Sequence, residues 1–385
     1  MAVKSILFIG GYPNEVDKYK RVFYQNLIFA MSDKGIECTV ISPVSYTAYK
    51  NRISEIKRYV VQKTAKGNPV YVYYPRYISV SAKKIDSFNT GIISECLFEL
   101  CALKEAKRLS KKFDCVYGHF FLSGGLAAIK AGNYFKMPSF IAYGECDYES
   151  QVKALFRDLT NKDIAGITGI ISVSGKNTDE LKQIGLFNNT PIITCPNAID
   201  LTSFKKKDKV ECRKKFGFPE DKFIVGFVGG FIERKGHKRL LAACSGMKDV
   251  CLAFAGKGED KPEGSNVIYA EALPHEYICD FLNAVDVFVL PTLNEGCSNA
   301  IVEAMACGLP VISSNLPFND DILNDENSIR IDPNSIEEIK NAIIRLINDK
   351  AMRDKLSLAA AETAKELTIE RRADKILDFI EINTQ

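Results

Sequence analysis

The sequence predicts an α/β protein with parallel β-sheets covered by helices. Short apolar runs rich in β-branched and aromatic residues alternate with helical segments along the chain, as expected of buried strands joined by helical crossovers. This rhythm occurs twice, before and after a Pro/Asn turn at 194–204, and the length of 385 residues also favours two domains. We therefore expect two α/β domains joined by a short linker.

Composition excludes several classes of protein. Hydrophobic residues make up 46% and charged residues 26%, which is typical of globular proteins, and a net charge of +3 argues against a nucleic-acid binder. The 12 cysteines form no CxxC pair and the three histidines are scattered, which favours buried thiols over disulfides or a metal site. The N-terminus leads directly into a strand, and no apolar run approaches the ~18–20 residues of a membrane span. These features predict a cytoplasmic protein without a metal or an organic cofactor.

The chain begins with a strand, a glycine turn and a helix. SILFIGGYPNE (5–15) supplies the strand and the turn at Gly10-Gly11, a helix follows and ends at Gly35, and CTVISP (38–43) forms the next strand. This order predicts a parallel sheet that binds ligands at the carboxyl ends of its strands. The glycine pair lacks the spacing of a dinucleotide fingerprint, so NAD is not implied. It is either a tight turn or a loop beside a ligand.

The segment 50–68 is basic and is followed by aromatic residues. KNRISEIKRYVVQKTAKGN contains six basic residues and one acidic residue, and VYVYYPRY (70–77) comes next. Such a segment is either a solvated face or a surface that contacts an anionic membrane. Both interpretations stay open from the residues alone.

Two polar segments follow predicted strands in the rest of the first half. After a predicted helix at 91–111, FDCVYGHFFLSGG (113–125) places His119 just past a buried strand, where α/β proteins bind ligands. A single histidine in this position is either structural or part of a site. The next strand runs into an acidic loop that contains Glu145 and Asp147.

The second half repeats the pattern and ends in helices. An amphipathic helical region is predicted at 332–367 and a final helix at 367–383. The strands of this half are predicted in FIVGFVGG, VCLAFAGKG, NVIYAEAL, DVFVLP and PVISS.

The stretch 286–310 combines a strand, a loop and a helix with two carboxylates. DVFVLP forms the strand, Ser298 is a suitable N-cap, and Glu295 and Glu303 stand on either side of the helix start with seven residues between them. Free backbone N–H groups at 296–299 could hold a pyrophosphate, while the carboxylates suit sugar and ribose hydroxyls. The alternative is a pair of surface glutamates on an ordinary helix.

A second glycine turn comes earlier in the same half. FIVGFVGGFIERKGHKRLL (223–241) is a strand, the turn Gly229-Gly230, and a basic cluster that opens a helix. Glycine permits close approach of a ligand to the backbone, and Arg234 and Lys235 place two cations where a diphosphate could be neutralised.

These segments together resemble family 4 of the retaining glycosyltransferases, which have the GT-B fold. That family carries a Glu-x7-Glu motif, matched by Glu295 and Glu303, and a basic turn matched by ERKG. AGKGED (255–260), NAVDVFVLPTLNEG (283–296) and EAMACGLPVISS (303–314) also look like family segments, so the resemblance covers most of the chain.

The resemblance implies two Rossmann-like domains with parallel sheets facing a central cleft. An N-terminal acceptor-side domain would span 1–197, and a C-terminal domain that binds the nucleotide-sugar would span 198–366. A C-terminal helix at 367–385 would cross back and pack on the first domain.

The resemblance also implies roles for particular residues. Arg234 and Lys235 would stabilise the leaving diphosphate without a metal, Glu295 would bind the donor sugar, and Glu303 the ribose. His119 would bind the sugar or stabilise positive charge near its anomeric carbon. Glu145 and Asp147 would face the acceptor; many relatives have a histidine where this chain has Tyr143, a departure on the acceptor side. The predicted catalytic set is His119, Arg234, Lys235 and Glu295, and the predicted donor-binding set is Gly11, Gly230, Arg234, Lys235, Gly256, Glu295, Gly296, Ser298, Asn299 and Glu303.

The implied activity is transfer of a hexose-type sugar from a nucleotide diphosphate sugar, UDP in preference to GDP, to a hydroxyl of a glycan or lipid-linked acceptor. The anomeric configuration would be retained, and the process would be synthesis of a bacterial surface polysaccharide. The enzyme would act in the cytoplasm. Contact of residues 50–68 with the inner face of an anionic membrane stays open beside the alternative of a solvated face. The alternatives are an epimerase or glycogen-synthase-like enzyme of the same fold, and a catalytically silent subunit that binds a nucleotide-sugar.

Overall fold

The protein divides into two compact units. The computed structural model describes residues 3–85, 88–149 and 160–384. The first unit is Met1–Cys195 together with Ile369–Gln385, and the second is Pro196–Thr368. Each unit contains its own sheet of mainly parallel strands, which confirms the predicted α/β class.

The first unit is built on an eight-stranded sheet with the order β12-β11-β10-β9-β1-β2-β5-β4. All neighbours in it are parallel except the edge strand β4, which runs antiparallel to β5. The short strands pair as β3 with β6 and β7 with β8. The strands are β1 (Ser5–Ile9), β2 (Glu37–Ile41), β3 (Val44–Ser45), β4 (Tyr59–Lys63), β5 (Pro69–Tyr73), β6 (Arg76–Tyr77), β7 (Lys84–Ile85), β8 (Phe88–Asn89), β9 (Cys115–His119), β10 (Ser139–Tyr143), β11 (Ile167–Ser172) and β12 (Ile192–Thr194).

Helices cover this sheet because its central strands are apolar on both sides. Leu7, Val116 and Ile141 are fully buried, and burying such a side chain contributes roughly 1.5–3 kcal/mol. The helices of this part are α1 (Val22–Asp33), α2 (Tyr46–Tyr49), α3 (Gly91–Leu109), α4 (Leu126–Phe135) and α5 (Gly175–Ile184).

The second unit is built on a six-stranded, fully parallel sheet with the order β15-β14-β13-β16-β17-β18. This is the strand order of a doubly wound, Rossmann-like fold. The strands are β13 (Phe223–Val228), β14 (Val250–Ala255), β15 (Val267–Glu271), β16 (Val287–Leu290), β17 (Val311–Ser314) and β18 (Ser328–Ile331). The helices are α6 (Lys209–Phe216), α7 (His237–Ala243), α8 (Ile278–Ala284), α9 (Asn299–Ala306), α10 (Ile336–Asn348) and α11 (Lys350–Glu366).

The helical region predicted at 332–367 is two helices rather than one. The chain breaks at Asp349, whose side chain accepts a hydrogen bond of 2.8 Å from the Met352 amide and so caps α11. An aspartate favours this capping geometry because it satisfies an amide that has no partner inside the helix.

The last helix, α12 (Ile369–Asn383), returns to the first unit, as predicted. It packs against α1, and Asp374 forms an ion pair of 2.6 Å with Lys34 at the end of that helix. Arg372 is buried and donates to the carbonyl of Cys195 at 2.7 Å.

Each sheet has a point where its strand order reverses. In the first sheet the reversal lies between β1 and β9, and in the second between β13 and β16. Ligands of open α/β sheets bind outside the carboxyl ends of the strands at such points. The loop after β1, the end of β9, the loop after β13 and the loop after β16 are therefore the places to look for a site.

Candidate active site

The glycine turn after β13 packs closely on the loop after β14. Gly229 donates to the carbonyl of Ala255 at 3.0 Å, and Phe231 donates to that of Lys257 at 2.9 Å. Only glycine fits at position 256, since a Cβ there would lie 1.9 Å from the Gly229 carbonyl oxygen. Position 230 is less crowded, since a Cβ there would lie 3.8 Å from the Lys257 carbonyl oxygen, an ordinary contact distance. The predicted donor-binding glycines 230 and 256 thus lie on two loops that pack together, and both are partly buried.

The basic turn follows directly. Glu233–Lys235 forms one turn of 3-10 helix, which Gly236 ends with a φ of +82°. A Cβ at Gly236 would lie 2.3 Å from the Pro291 carbonyl oxygen, so this glycine brings the basic turn onto the loop after β16. The Leu293 amide then donates to the Arg234 carbonyl at 2.8 Å.

Three predicted catalytic residues meet in one ion-pair cluster. Glu295 Oε1 lies 2.5 Å from Lys235 Nζ and 3.1 Å from Arg234 Nη1, and the Thr292 hydroxyl donates to it at 2.9 Å. The Glu295 carboxylate is buried, while both cations are partly accessible. Two positive charges therefore share a single negative charge, which leaves the cluster suited to an additional anion.

The second glutamate stands on α9 and has a histidine partner. Glu303 is buried, and its Oε1 lies 3.1 Å from His275 Nε2. The hydrogen bond to Glu303 raises the pKa of His275, although burial acts in the opposite direction. The ring of Phe204 packs edge-on against His275 at 5.4 Å. His275 thus holds the Glu303 carboxylate in place, a contact that the sequence analysis did not predict.

The start of α9 is uncapped by its own side chain. Ser298 has the extended conformation of an N-cap residue, but its hydroxyl makes no capping hydrogen bond. Asn299 is the first helical residue, and Gly296 lies in the buried loop ahead of it. Asn197 holds this loop in place by donating to the Cys297 carbonyl at 2.9 Å. The Ser298 hydroxyl therefore does not cap the backbone N–H groups at the N-terminus of α9. These groups and the positive end of the helix dipole suit a bound anion.

In the first unit, His119 ends β9 inside a cluster of aromatic rings. It stacks on Tyr24 with ring centroids 4.1 Å apart, and Phe120 packs edge-on against it at 4.8 Å. Its Nδ1 is buried without a hydrogen-bond partner among the described residues. Burial lowers the pKa of His119 well below its usual range, and Arg21 and Arg372 lower it further. The imidazole is therefore neutral near pH 7.

The turn after His119 is held by Glu145. Phe120 and Ser123 have positive φ values of +65° and +60°, which is uncommon for side chains of their kind. Glu145 Oε1 accepts from the Phe121 amide at 2.7 Å, and its Oε2 accepts from the Gly144 amide at 3.1 Å. Burial raises the pKa of Glu145 to about 7, while these backbone donors act in the opposite direction. The Glu145 carboxylate thus binds backbone amides of the turn after β9 and of its own loop.

Two further residues complete the first-unit cluster. The Arg21 guanidinium lies against Gly11 and over the ring of Phe120, 5.0 Å from its centroid. Burial lowers the pKa of Arg21, and the carboxylates of Glu145 and Glu95 partly oppose this. Asp147 lies in the same loop as Glu145 and is half-buried.

Tyr143 has a clear structural partner. Its hydroxyl donates to Glu180 Oε2 at 2.6 Å, and the Tyr148 amide donates to the other oxygen of Glu180 at 2.8 Å. The tyrosine therefore closes the loop after β10.

The predicted site residues with ionisable side chains, apart from Asp147, thus fall into three groups. Arg234, Lys235 and Glu295 form one cluster in the second unit, and Glu303 with His275 forms another. In the first unit, the cluster of His119 and Glu145 lies beside Gly11 through Arg21.

The chain is similar to known glycosyltransferases in sequence and in fold. The model of the family described as "Glycosyl transferases group 1" matches residues 208–363. The teichuronic acid biosynthesis glycosyltransferase TuaC of Bacillus subtilis (strain 168) is 24% identical over 94% of this chain and 94% of its own. Sucrose-phosphate synthase of Thermosynechococcus elongatus has a TM-score of 0.79 at 17% identity, covering 98% of each chain. HepE of Anabaena, solved in complex with UDP-glucose, has a TM-score of 0.70 at 15% identity, covering 98% of this chain and 99% of its own.

The fold and the comparisons together indicate a glycosyltransferase with the GT-B fold. The segment 208–363, which carries the basic turn and both glutamates, belongs to the group 1 glycosyl transferases. The resemblance stated from the Glu-x7-Glu motif and the basic turn is therefore confirmed.

Proposed function

We propose that the protein transfers a hexose-type sugar from UDP to a hydroxyl of a glycan or lipid-linked acceptor, with retention at the anomeric carbon. The proposed process is synthesis of a bacterial surface polysaccharide, which is supported by the name of the relative TuaC. UDP is supported by HepE, which was solved with UDP-glucose. The observation that carries the proposal is the cluster of two cations on one carboxylate at the point where the second sheet reverses its strand order.

In this proposal the second unit binds the donor. Arg234 and Lys235 neutralise the diphosphate as it leaves, so the reaction needs no metal. The N-terminus of α9 adds backbone donors and a favourable dipole. Glu303, oriented by His275, accepts hydrogen bonds from the ribose, because a charged acceptor forms strong hydrogen bonds with hydroxyl donors. Glu295 exchanges part of its contact with the cations for hydroxyls of the donor sugar.

The first unit supplies groups for the acceptor side. A neutral His119 offers a ring nitrogen to the sugar or to positive charge that develops near its anomeric carbon, where a protonated imidazole would be repelled. Glu145 fixes the turn that presents His119 and Phe120.

The two glutamates are expected to respond differently to neutralisation. Glu303→Gln should weaken UDP binding by about tenfold, since a charge-assisted hydrogen bond contributes on the order of 1.5–3 kcal/mol and only part of it is lost. Glu295→Gln should leave UDP affinity unchanged or raise it, because Arg234 and Lys235 are released from their carboxylate partner, and it should reduce discrimination among UDP-hexoses. Calorimetry with UDP, and thermal stabilisation by a panel of UDP-, GDP- and ADP-sugars, measure both effects.

Equal losses of UDP affinity in the two variants would contradict this division of roles. A wild-type protein that is stabilised by none of the UDP-sugars, or that hydrolyses none of them, would contradict the proposed donor.

We also propose that the edge strand β4 and its surroundings contact an anionic membrane. Tyr59 and Val61 are 45% and 46% exposed on the outer face of β4, beside the exposed cations Lys57, Arg58 and Lys63. None of these three cations forms an ion pair with a residue in the described parts of the chain. Exposed aromatic and basic side chains together suit a surface of anionic lipid. Separately, no helix among the described residues is long and apolar enough to cross a membrane.

Replacing Lys57, Arg58 and Lys63 with serine should reduce co-sedimentation with vesicles that contain phosphatidylserine. Each charge near the surface contributes about 1 kcal/mol, so the partition coefficient should fall by about 10²-fold. The binding of the wild-type protein should weaken with added salt. A control triple variant, Lys340→Ser, Lys350→Ser and Lys355→Ser, removes equal charge from exposed positions of α10 and α11 and should bind as wild type. Equal vesicle binding by wild type and the first variant would leave 50–68 as a solvated face.

A further inference from the structure

A polar pocket lies on the first unit beside the turn that follows β1. Its volume is about 370 Å³. The side chains that matter for its chemistry are Glu15, Lys18, Gln25, Gln62 and Tyr74. Gln62 lies on β4 and lines the pocket. Along β4 the side chains of Tyr59, Val61 and Lys63 are exposed, while Val60 and Gln62 between them face the pocket. No role in the reaction described above uses this pocket.

The two glutamine side chains in the pocket hold each other in a fixed orientation. Gln62 Oε1 accepts from the Tyr12 hydroxyl at 3.0 Å and from Gln25 Nε2 at 2.8 Å. These bonds leave Gln62 Nε2 and Gln25 Oε1 without a partner among the described residues. One amide donor and one amide acceptor are therefore available to a ligand.

Glu15 adds a carboxylate that the protein leaves unpaired. It forms no hydrogen bond or ion pair with any residue in the described ranges, and its Oε2 is fully buried. A buried polar atom without a partner is costly, and such atoms are uncommon unless a ligand or water completes them. The Tyr74 hydroxyl does not compensate, because it donates to the Pro13 carbonyl instead.

We propose that this pocket binds an uncharged sugar ring of the acceptor glycan. Sugar hydroxyls donate and accept at once, so they can satisfy Glu15, Gln25 and Gln62 together. The negative charge of Glu15 disfavours an anionic ligand, and Lys18, the cation of the pocket wall, is exposed. This inference rests on the proposed glycosyltransferase function and names a subsite for its acceptor.

The position of the pocket fits an acceptor subsite. Tyr12 contributes its hydroxyl to the Gln62 amide on the pocket side, and its ring packs edge-on against Tyr24 at 6.2 Å. Tyr24 in turn stacks on His119 at 4.1 Å. The pocket and His119 thus both lie against the segment that follows β1, where a Cβ at Gly10 would be 3.3 Å from the His119 side chain.

Saturation-transfer NMR on the full-length protein tests the subsite. The probes are glucose, galactose and glucuronate at millimolar concentration, in the presence of saturating UDP so that the nucleotide region is filled. We expect a signal from at least one of the neutral sugars and a signal from glucuronate that is weaker by severalfold. Glu15→Gln and Gln62→Leu should each reduce the neutral-sugar signal by about fivefold or more. Glu55→Gln, which removes an exposed carboxylate of the same unit, is the matched control and should leave it unchanged.

The outcomes separate the subsite from the proposed function. No signal from either neutral sugar, full signal in both Glu15→Gln and Gln62→Leu, or a glucuronate signal stronger than that of glucose and galactose would overturn the subsite. Calorimetry on the same samples reports UDP binding, and its absence in the wild-type protein would overturn the donor proposal instead. Melting temperatures of both variants within a few degrees of wild type confirm that lost signal reflects the pocket and not unfolding.

Discussion

Replacing Arg234 or Lys235 with alanine is expected to lower the turnover of a UDP-sugar by about 10²-fold or more in each case. Removing one preorganised donor from the place where charge develops in the transition state has an effect of this order. Both cations contact one oxygen of Glu295, so the pair carries an uncompensated positive charge that a departing diphosphate would meet. Hydrolysis of the donor by the purified enzyme measures this effect without knowledge of the acceptor.

Lys238→Ala is the matched control for these two variants. Lys238 lies three residues further along the same segment, is about half exposed, and pairs with Asp260 at 2.9 Å. Its loss should change turnover by less than about twofold, since surface ion pairs contribute little. EDTA should leave wild-type turnover unchanged. Turnover that disappears in EDTA and returns with Mg²⁺ or Mn²⁺, or variants of Arg234 and Lys235 with full activity, would contradict the metal-independent role of this pair.

The residues of the second-unit candidate site could be singled out from the sequence because they lie in two short stretches with their own local signals. A strand, two glycines and a basic turn indicate a ligand-binding loop, and the two glutamates stand within one loop and helix. The shared contact of Arg234 and Lys235 with Glu295 could not be predicted, because about sixty residues separate them along the chain. It depends on how Gly236 packs against Pro291.

Other features depend on contacts that leave no mark in the sequence. His275 follows a strand by several residues and resembles any surface histidine until α8 and α9 bring it to Glu303. Glu145 lies in an acidic loop, but positive φ values at Phe120 and Ser123 aim backbone amides at it and turn it inward. The break at Asp349, in contrast, did have a signal, since an aspartate before a helical run is a common N-cap.

His119→Ala is expected to abolish detectable sugar transfer while changing UDP affinity by less than about twofold. The proposal assigns the nucleotide to the second unit, and His119 ends β9 in the first. Its imidazole is neutral and one ring nitrogen is buried without a partner, so the ring is held by packing and by no hydrogen bond with a described residue. Incorporation of labelled sugar into an acceptor-containing membrane extract measures transfer, and calorimetry measures UDP binding.

Tyr24→Phe separates the imidazole itself from the aromatic cluster that holds it. The Tyr24 hydroxyl is buried and has no hydrogen-bond partner among the described residues, so its removal keeps the ring stack on His119 and deletes one unpaired polar atom. Transfer by Tyr24→Phe should stay within about threefold of wild type, and its melting temperature should be equal or higher.

Burial lowers the pKa of His119, so the imidazole should not titrate between pH 6.5 and 8. The rate of transfer should therefore depend on pH in the same way in wild type and in His119→Gln over this range. If His119→Ala transfers sugar at the wild-type rate, or loses UDP affinity in parallel with transfer, the histidine supports the fold of the first unit and does not act on the sugar.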